Sequence, residues 1–201
     1  MVKYTFIHPT KSGGTSVERY LKSHYSDFIT VFGGHSQVCN NKNNPIIVRD
    51  VKDRFFSMFK YWKNGSSMFK RINPFKNKHK NTTIFDFIEL LKNKDKKELY
   101  TGFTWNQHFE NTSAWLGKAD YKNIIIIKYE DDLNEKIQTL IHYLGIPNKN
   151  ILLPKLNVSV EEDREVLNNN YVNEFIEEYF KEDIKLIHAI NTTPELFKCV
   201  I

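Results

Sequence analysis

Ile7-His8-Pro9-Thr10-Lys11-Ser12-Gly13-Gly14-Thr15-Ser16 sets a cation and two adjacent glycines at the point where an apolar strand gives way to a helix. Tyr4–Ile7 reads as a short buried strand, and Val17, Tyr20 and Leu21 recur at the spacing of an amphipathic helix that runs from Thr15 to His24. The loop between them therefore lies at a helix start. Unpaired backbone N–H groups and the positive end of the helix dipole attract an anion there, and Gly13 and Gly14 let the backbone approach it without a Cβ in the way. Lys11 adds a mobile full charge. In the Walker A loop, G-x-x-x-x-G-K-[ST], the lysine follows the second glycine, whereas Lys11 precedes the pair, which disfavours an ordinary kinase or ATPase. Taken alone, the segment also fits a glycine turn that merely joins strand to helix.

Working outward, Ile46–Val48 is a second β-branched strand, and the stretch from Val51 to Trp62 has helical periodicity with Phe55, Met58, Phe59 and Trp62 on one face. Arg49 stands at the strand end, and Arg54 reads as a solvated charge on the helix. Phe28–Phe32 forms another strand. A helix through Phe85, Ile88 and Leu91 has Thr83 as its cap, and a further helix runs through Trp105, Phe109, Ala114 and Leu116. Asn123–Lys128 is the most strongly β-forming run, Leu133–Leu144 is a helix stopped by Gly145 and Pro147, and Tyr171–Ile190 closes the chain as one helix. Its apolar side carries Phe175, Ile176, Tyr179, Phe180, Ile184 and Ile187. Strands alternating with helices predict an α/β fold, three layers with a central parallel sheet and right-handed crossovers. Residues 1–201 read as one domain with a basic insertion at about 64–82.

Open parallel sheets bind ligands beyond the carboxyl ends of their strands. Gly33-Gly34-His35-Ser36 falls just past the Phe28–Phe32 strand, on the edge expected for Lys11 and Arg49. An imidazole there can take a proton near neutral pH, although a lone histidine is also commonly a surface or satisfied core residue.

Composition sets broad bounds. The formal charge of +5 and an isoelectric point near 9.0 suit an anionic ligand without requiring nucleic acid. Lysines and arginines cluster between Lys60 and Lys97 with Phe69 and Phe75 among them, and no nucleic-acid motif accompanies them, so a solvated or substrate-lining surface is expected. Cys39 and Cys199 are too few for a disulfide framework or a metal site, which fits a reducing compartment. The longest apolar run, Ile124 to Ile127, is far short of a membrane span. A soluble, cytoplasmic protein with no membrane insertion is expected.

The first segment resembles the 5′-phosphosulfate loop of sulfotransferases that use 3′-phosphoadenosine 5′-phosphosulfate (PAPS), the carbohydrate type above all, with its H-x-P-K-T-G-G-T-S signature. His8, Lys11, Gly13, Gly14, Thr15 and Ser16 match, Ser12 replaces threonine, and the proline stands one place early at Pro9. The run Arg49-Asp50 followed by Arg54-Phe55 and Ser57 is similar to the family's 3′-phosphate motif. The resemblance implies a P-loop-like domain in which Lys11, Ser12, Gly13, Gly14, Thr15 and Ser16 hold the 5′ side of PAPS while Arg49 and Ser57 hold its 3′-phosphate. It implies that Lys11 is also catalytic and that His8 orients the loop.

Further segments extend the likeness. The glycine-histidine turn is similar to that of the heparan sulfate 2-O-sulfotransferase branch, which makes His35 the general base. Trp105 to Asn111 resembles the family's H-[WF]-x-P-Q helix, with Asn111 and Thr112 in place of proline and glutamine, so His108 and Glu110 are acceptor-site residues and Glu110 is an alternative base. Glu130 falls in a segment like Y-E-D-L, where Asp131 and Asp132 read as helix N-terminal acids. Leu153 to Ser159 resembles a nucleotide-covering loop, adding Ser159 and Arg164 to the phosphate ligands. The implied activity is sulfuryl transfer from PAPS to an acceptor hydroxyl, on a carbohydrate, with no metal. Two alternatives are a nucleotide or small-molecule kinase with an irregular loop, and a non-catalytic binding module of the same fold.

Overall fold

In the computed structural model the described residues are 4–31, 39, 43–64, 81–93, 109–130, 132–154 and 164–201. Among them are the strands β1 (Tyr4–Phe6), β2 (Ile29–Val31), β3 (Asn44–Val48), β4 (Ile124–Lys128) and β5 (Cys199–Val200). The helices are α1 (Gly14–His24), α2 (Val51–Asn64), α3 (Ile84–Lys92), α4 (Ser113–Leu116), α5 (Leu133–Tyr143), α6 (Asn170–Tyr179) and α7 (Lys181–Thr192).

Every strand pair is parallel. β1 lies beside β2 with Tyr4 opposite Ile29, and β4 lies between β3 and β5. An Ile7–Ile46 bridge joins the two groups, the Ile7 N–H donating to Pro45 O at 2.9 Å, so the order across the sheet is β2-β1-β3-β4-β5. The winding direction reverses between β1 and β3. That reversal opens a crevice beyond the strand ends where the two outgoing loops part.

β3 and β4 are apolar without interruption because both faces of the sheet are covered. The period of two sends Ile47, Ile125 and Ile127 to one face, against Val17, Tyr20 and Leu21 of α1 and Ile137, Leu140 and Ile141 of α5. Ile46, Val48, Ile124 and Ile126 point to the other, against Trp115 and Leu116 of α4 and Leu186 and Ile190 of α7. The arrangement is an α/β sandwich of three layers. A third core, largely aromatic, forms where α2, α3 and α6 meet, with the Phe55 ring 5.8 Å from both Phe87 and Phe175. Ile187 of α7 packs against this core and the α4 face alike.

Helix ends follow the capping chemistry of their sequences. Thr83 Oγ1 accepts the Asp86 N–H at 3.2 Å while Asp86 returns the bond to Thr83 N–H at 2.7 Å. Asp132 caps α5 and Asn169 caps α6. Gly145, at φ 65, ends the turn after α5.

Three expectations need correction. The closing helix is two helices, because Phe180 (φ −106, ψ 26) leaves the helical path and turns its ring into the aromatic core. The break resets the helical phase, so Asp183, Leu186 and Ile190 are buried in α7 while Ile184 is 37% exposed. The chain does not close as a helix either; it returns to the sheet as β5 beside β4. Finally, of the helix read through Trp105 to Leu116, only Ser113–Leu116 is helical among the described residues. The basic stretch 65–80 lies outside them. Among the described residues no helix is long and apolar enough to cross a membrane.

The phase of α7 is testable. Ile190→Ala should lower the unfolding free energy by about 3 kcal/mol, as for a truncated buried isoleucine. Ile184→Ala should change it by less than about 0.5 kcal/mol. Comparable losses for the two in urea denaturation would mean that α7 is turned the other way.

Candidate functional site

The loop after β1 is tightly wound. Ser12 folds back on Pro9, its hydroxyl donating to Pro9 O at 2.6 Å and its N–H to the same oxygen at 3.3 Å, so this side chain shapes the loop. Lys11 takes a left-handed conformation at φ 62, uncommon for a residue with a Cβ, and Gly13 follows at φ 80 as the residue before α1. A Cβ on Gly13 would land in the Tyr129 ring, and one on Gly14 would land in the His8 ring. The loop is thus pressed between two side chains. His8 Nε2 lies 3.0 Å from Glu18 Oε2, and Lys22 donates to the same carboxylate at 2.6 Å. Burial opposes ionisation of Glu18, but the hydrogen bonds from His8 and Lys22 outweigh it and bring its carboxyl down to about 2. A fixed imidazole then walls one side of the α1 entrance.

That entrance is open to an anion. No side chain caps α1 among the described residues and its first turn carries no acid, so the positive end of the helix dipole meets no carboxylate of its own turn. Lys11 reaches over Tyr61, its Nζ 4.3 Å from the ring centroid. Burial, and secondarily the nearby Arg49 charge, push the Lys11 ammonium down from 10.5 to about 8.

Arg49 arrives from the end of β3. Its Nη1 donates to Lys11 O at 3.3 Å and its guanidinium lies 4.5 Å from the centroid of the Tyr129 ring. Its Nε is buried with no partner among the described residues. An unpaired buried donor is costly, and an acceptor oxygen in the crevice would satisfy it. Asp50, next in sequence, caps α2 through the Asp53 N–H at 3.1 Å, and Glu130 accepts the Asp50 N–H at 2.5 Å. Arg49 is thereby held at the mouth of α2 by the residues on either side of the β3–β4 pair.

Asp53, Ser57 and Tyr61 lie four residues apart and so share one stripe of α2. Arg49 meets its first member at 3.9 Å and Lys11 its last, so the half-buried Ser57 stands between the two cations. Arg164 reaches the same stripe, donating from Nη1 to Asp53 Oδ1 at 2.9 Å. Asp53 therefore holds Arg49 and Arg164 together.

Arg54 corrects the sequence reading most. Expected in solvent, it is 1% exposed and donates to three acceptors: Thr10 O from Nε at 3.0 Å, Asp183 Oδ2 from Nη1 at 3.0 Å, and Glu110 O from Nη2 at 2.6 Å. Burial lowers the guanidinium to about 10 and Asp183 acts against that shift, so it is charged at neutral pH. The face chosen by Phe55, Met58 and Phe59 is wide enough to take position 54 inside.

Lys11, Ser12, Gly13, Gly14, Thr15, Ser16, Arg49, Ser57 and Arg164 thus surround or adjoin the crevice between β1 and β3. The side chain of Glu110 is exposed, and only its carbonyl joins the network. His35, His108 and Ser159 lie outside the described residues. Sequence reasoning missed Tyr61, Tyr129, Asp53 and Asp183 as parts of the site. Tyr61 was detectable four residues after Ser57, and Tyr129 at the end of β4 on the ligand edge. Asp183 left no local signal, being 129 residues from its partner. Among the described residues no cluster of three or more His, Cys, Asp or Glu side chains is gathered for a metal.

A family model for the sulfotransferase domain, whose fold is P-loop-like, matches residues 16–188. The match takes in Arg49, Ser57 and Arg164 and begins beyond Lys11 to Thr15, which rest on the loop geometry. No curated protein and no solved structure matches the chain.

Lys11 supplies a pH test. The unfolded chain holds the Lys11 proton up to about 10.5 and the folded one only to about 8, so this lysine costs stability below about 8 and the cost fades as pH rises to 10.5. Lys11→Met should therefore raise the melting temperature at neutral pH and have little effect at the alkaline end. Pyrophosphate binding at about pH 9 should take up close to one proton, read as a dependence of calorimetric heat on buffer ionisation enthalpy. Binding with no uptake, or uptake retained in Lys11→Met, would remove Lys11 from the anion's surroundings.

Proposed function

Because the chain belongs to the sulfotransferase domain family, we propose that it moves a sulfuryl group from PAPS to a hydroxyl of a carbohydrate acceptor. Sulfuryl transfer follows from the family; the donor and the acceptor class are the proposal. The observation that carries it is the pair of cationic loops meeting at the β1–β3 crevice, Lys11 beside an α1 start that no side chain caps and Arg49 with a buried Nε that has no partner, both among the described residues. A nucleotide with an anionic group at both its 5′ and 3′ positions has one for each loop.

In the transfer, a bond forms from the acceptor oxygen to sulfur, the bond from sulfur to the 5′-phosphate oxygen breaks, and the acceptor proton passes to a base. Lys11 is the residue for the leaving oxygen, since a cation there counts for more as charge accumulates. A multiply charged ligand also returns to Lys11 the proton that burial loosens. The N–H groups at the start of α1, with the Thr15 and Ser16 hydroxyls, hold the 5′-phosphate. Arg49 and Ser57 hold the 3′-phosphate, and Arg164 joins them by exchanging Asp53 for phosphate oxygen. Ser159 belongs to the same group. His35 is the base, with His108 and Glu110 on the acceptor side. A cytoplasmic site of action goes with this reading, Cys39 and Cys199 both being free thiols.

Calorimetry with adenosine 3′,5′-bisphosphate and no metal tests the donor. Binding should be tight, and Arg49→Ala should weaken it by about 2 kcal/mol, the scale of a lost charge-assisted contact. Preference for ADP with magnesium would point instead to a kinase.

Turnover tests the chemistry. With desulfated heparan oligosaccharides as acceptor, Lys11→Ala should lower kcat more than nucleotide affinity. His35→Ala should leave nucleotide binding intact and cut kcat by about a hundredfold. Activity that survives in His35→Ala but disappears in Glu110→Gln or His108→Ala would transfer the role of base to that residue.

A further inference from the structure

Arg54 touches neither of the proposed phosphate positions, yet it is the buried junction of three segments. Its Nε holds the phosphate loop at Thr10 O, and its Nη2 holds the Glu110 carbonyl, at 3.0 and 2.6 Å. Its Nη1 pairs with Asp183 on α7 at 3.0 Å. Asp183 spends its remaining acceptor capacity on the segment after Glu110: Oδ2 also takes the Thr112 N–H at 2.8 Å and Oδ1 the Ser113 N–H at 3.0 Å. Thr112 itself is 2% exposed. One planar guanidinium and one carboxylate therefore tie the loop that follows β1 to residues 110–113, two stretches with no strand pairing between them.

The geometry limits what else could do this. A guanidinium presents donors in a fixed fork, so fixing two of its acceptors fixes the third. Bonds to Thr10 and Glu110 from opposite ends of a single rigid group set the separation and tilt of their segments, while Asp183 prevents the group from rotating. Because both charges are buried, the two residues act as a unit: removal of either leaves the other unpaired in the interior.

We propose that Arg54 and Asp183 are positioning residues that register the donor loop, Thr10 to Gly14, against the Glu110–Ser113 segment. The proposal rests on the sulfotransferase reading for the names of the two sides, and on the contacts alone for the coupling between them. Donor affinity is set by Lys11, Arg49 and the start of α1. Alignment of donor with acceptor is set by Arg54.

Two variants of the full chain test it. Arg54→Lys keeps the charge but cannot span three acceptors, and Asp183→Asn keeps the size and an acceptor oxygen while losing the charge. Amide hydrogen exchange is read first, since it needs no substrate. Asp183→Asn should speed exchange in residues 110–116 and also in residues 10–16, which Asp183 does not touch, with little change in α5. Faster exchange in 110–116 alone, or equally throughout the chain, would overturn the proposal.

Kinetics on desulfated heparan oligosaccharides is the second arm. In Arg54→Lys, kcat per folded molecule should fall by about a hundredfold, the effect of a misplacement of roughly 1 Å, while affinity for adenosine 3′,5′-bisphosphate changes less than about threefold. A kcat unchanged in the folded fraction, or a loss of nucleotide affinity equal to the loss of kcat, would reduce Arg54 to a stabilising residue. Failure of the functional reading is distinguishable, because wild-type protein would then neither bind the bisphosphate nor turn over, while the exchange result would still decide the coupling. Should Arg54→Lys not fold, Asp183→Asn carries both arms.

Discussion

The buried Arg54–Asp183 pair is the constraint on which the crevice depends. Taking two charges out of water costs several kcal/mol per ion, and their attraction recovers it only when the remaining donors and acceptors are satisfied. Here they are met by the Thr10 and Glu110 carbonyls and by the Thr112 and Ser113 N–H groups. The satisfying groups are all backbone. The pair can therefore be stable only if the loop after β1, the start of α4 and α7 take up one relative arrangement.

Around this fixed point the site concentrates positive charge where the protein supplies little to balance it. Lys11, Arg49 and the start of α1 converge, while the carboxylate of Asp53 is shared between Arg49 and Arg164. The consequences are a lysine whose proton is loosened and an arginine Nε without an acceptor among the described residues. Lys11 is also held at a backbone angle that a side-chain-bearing residue adopts at some cost. A surface held in this way is organised without a ligand, and an anion entering it would meet donors already aimed. Tyr61 and Tyr129 supply faces on which the cations rest, limiting the conformations they sample.

The sheet makes that convergence possible by a simple device. Reversal of winding between β1 and β3 separates the two outgoing loops, and the bridge at Ile7–Ile46 keeps the strands that bear them adjacent. Full burial of Ile46, Ile47 and Ile124 to Ile127 packs the central strands closely on both faces. The aromatic core of α2, α3 and α6 then fixes the far side of α2, so the stripe of Asp53, Ser57 and Tyr61 is presented toward the crevice.

Much of this was determined by the sequence alone. Strand and helix periods and turn chemistry identified the parallel α/β class, the Thr83 cap, a helix from Thr15 that the structure starts one residue earlier, and Lys11 and Arg49 as neighbours on one sheet edge. All of these depend on contacts between residues close in the chain, or on general rules of sheet topology. What only the tertiary structure decided depended on distant partners. Arg54 looks like any charged residue on a helix until Asp183 and two carbonyls are brought to it. The break at Phe180 pairs a helical sequence with a ring that the aromatic core draws in, and β5 is too short to carry a pattern of its own and exists because β4 offers it an edge. Local periodicity records which face of an element is buried; it holds no record of what that face is buried against, and here the answer to that second question organises the site.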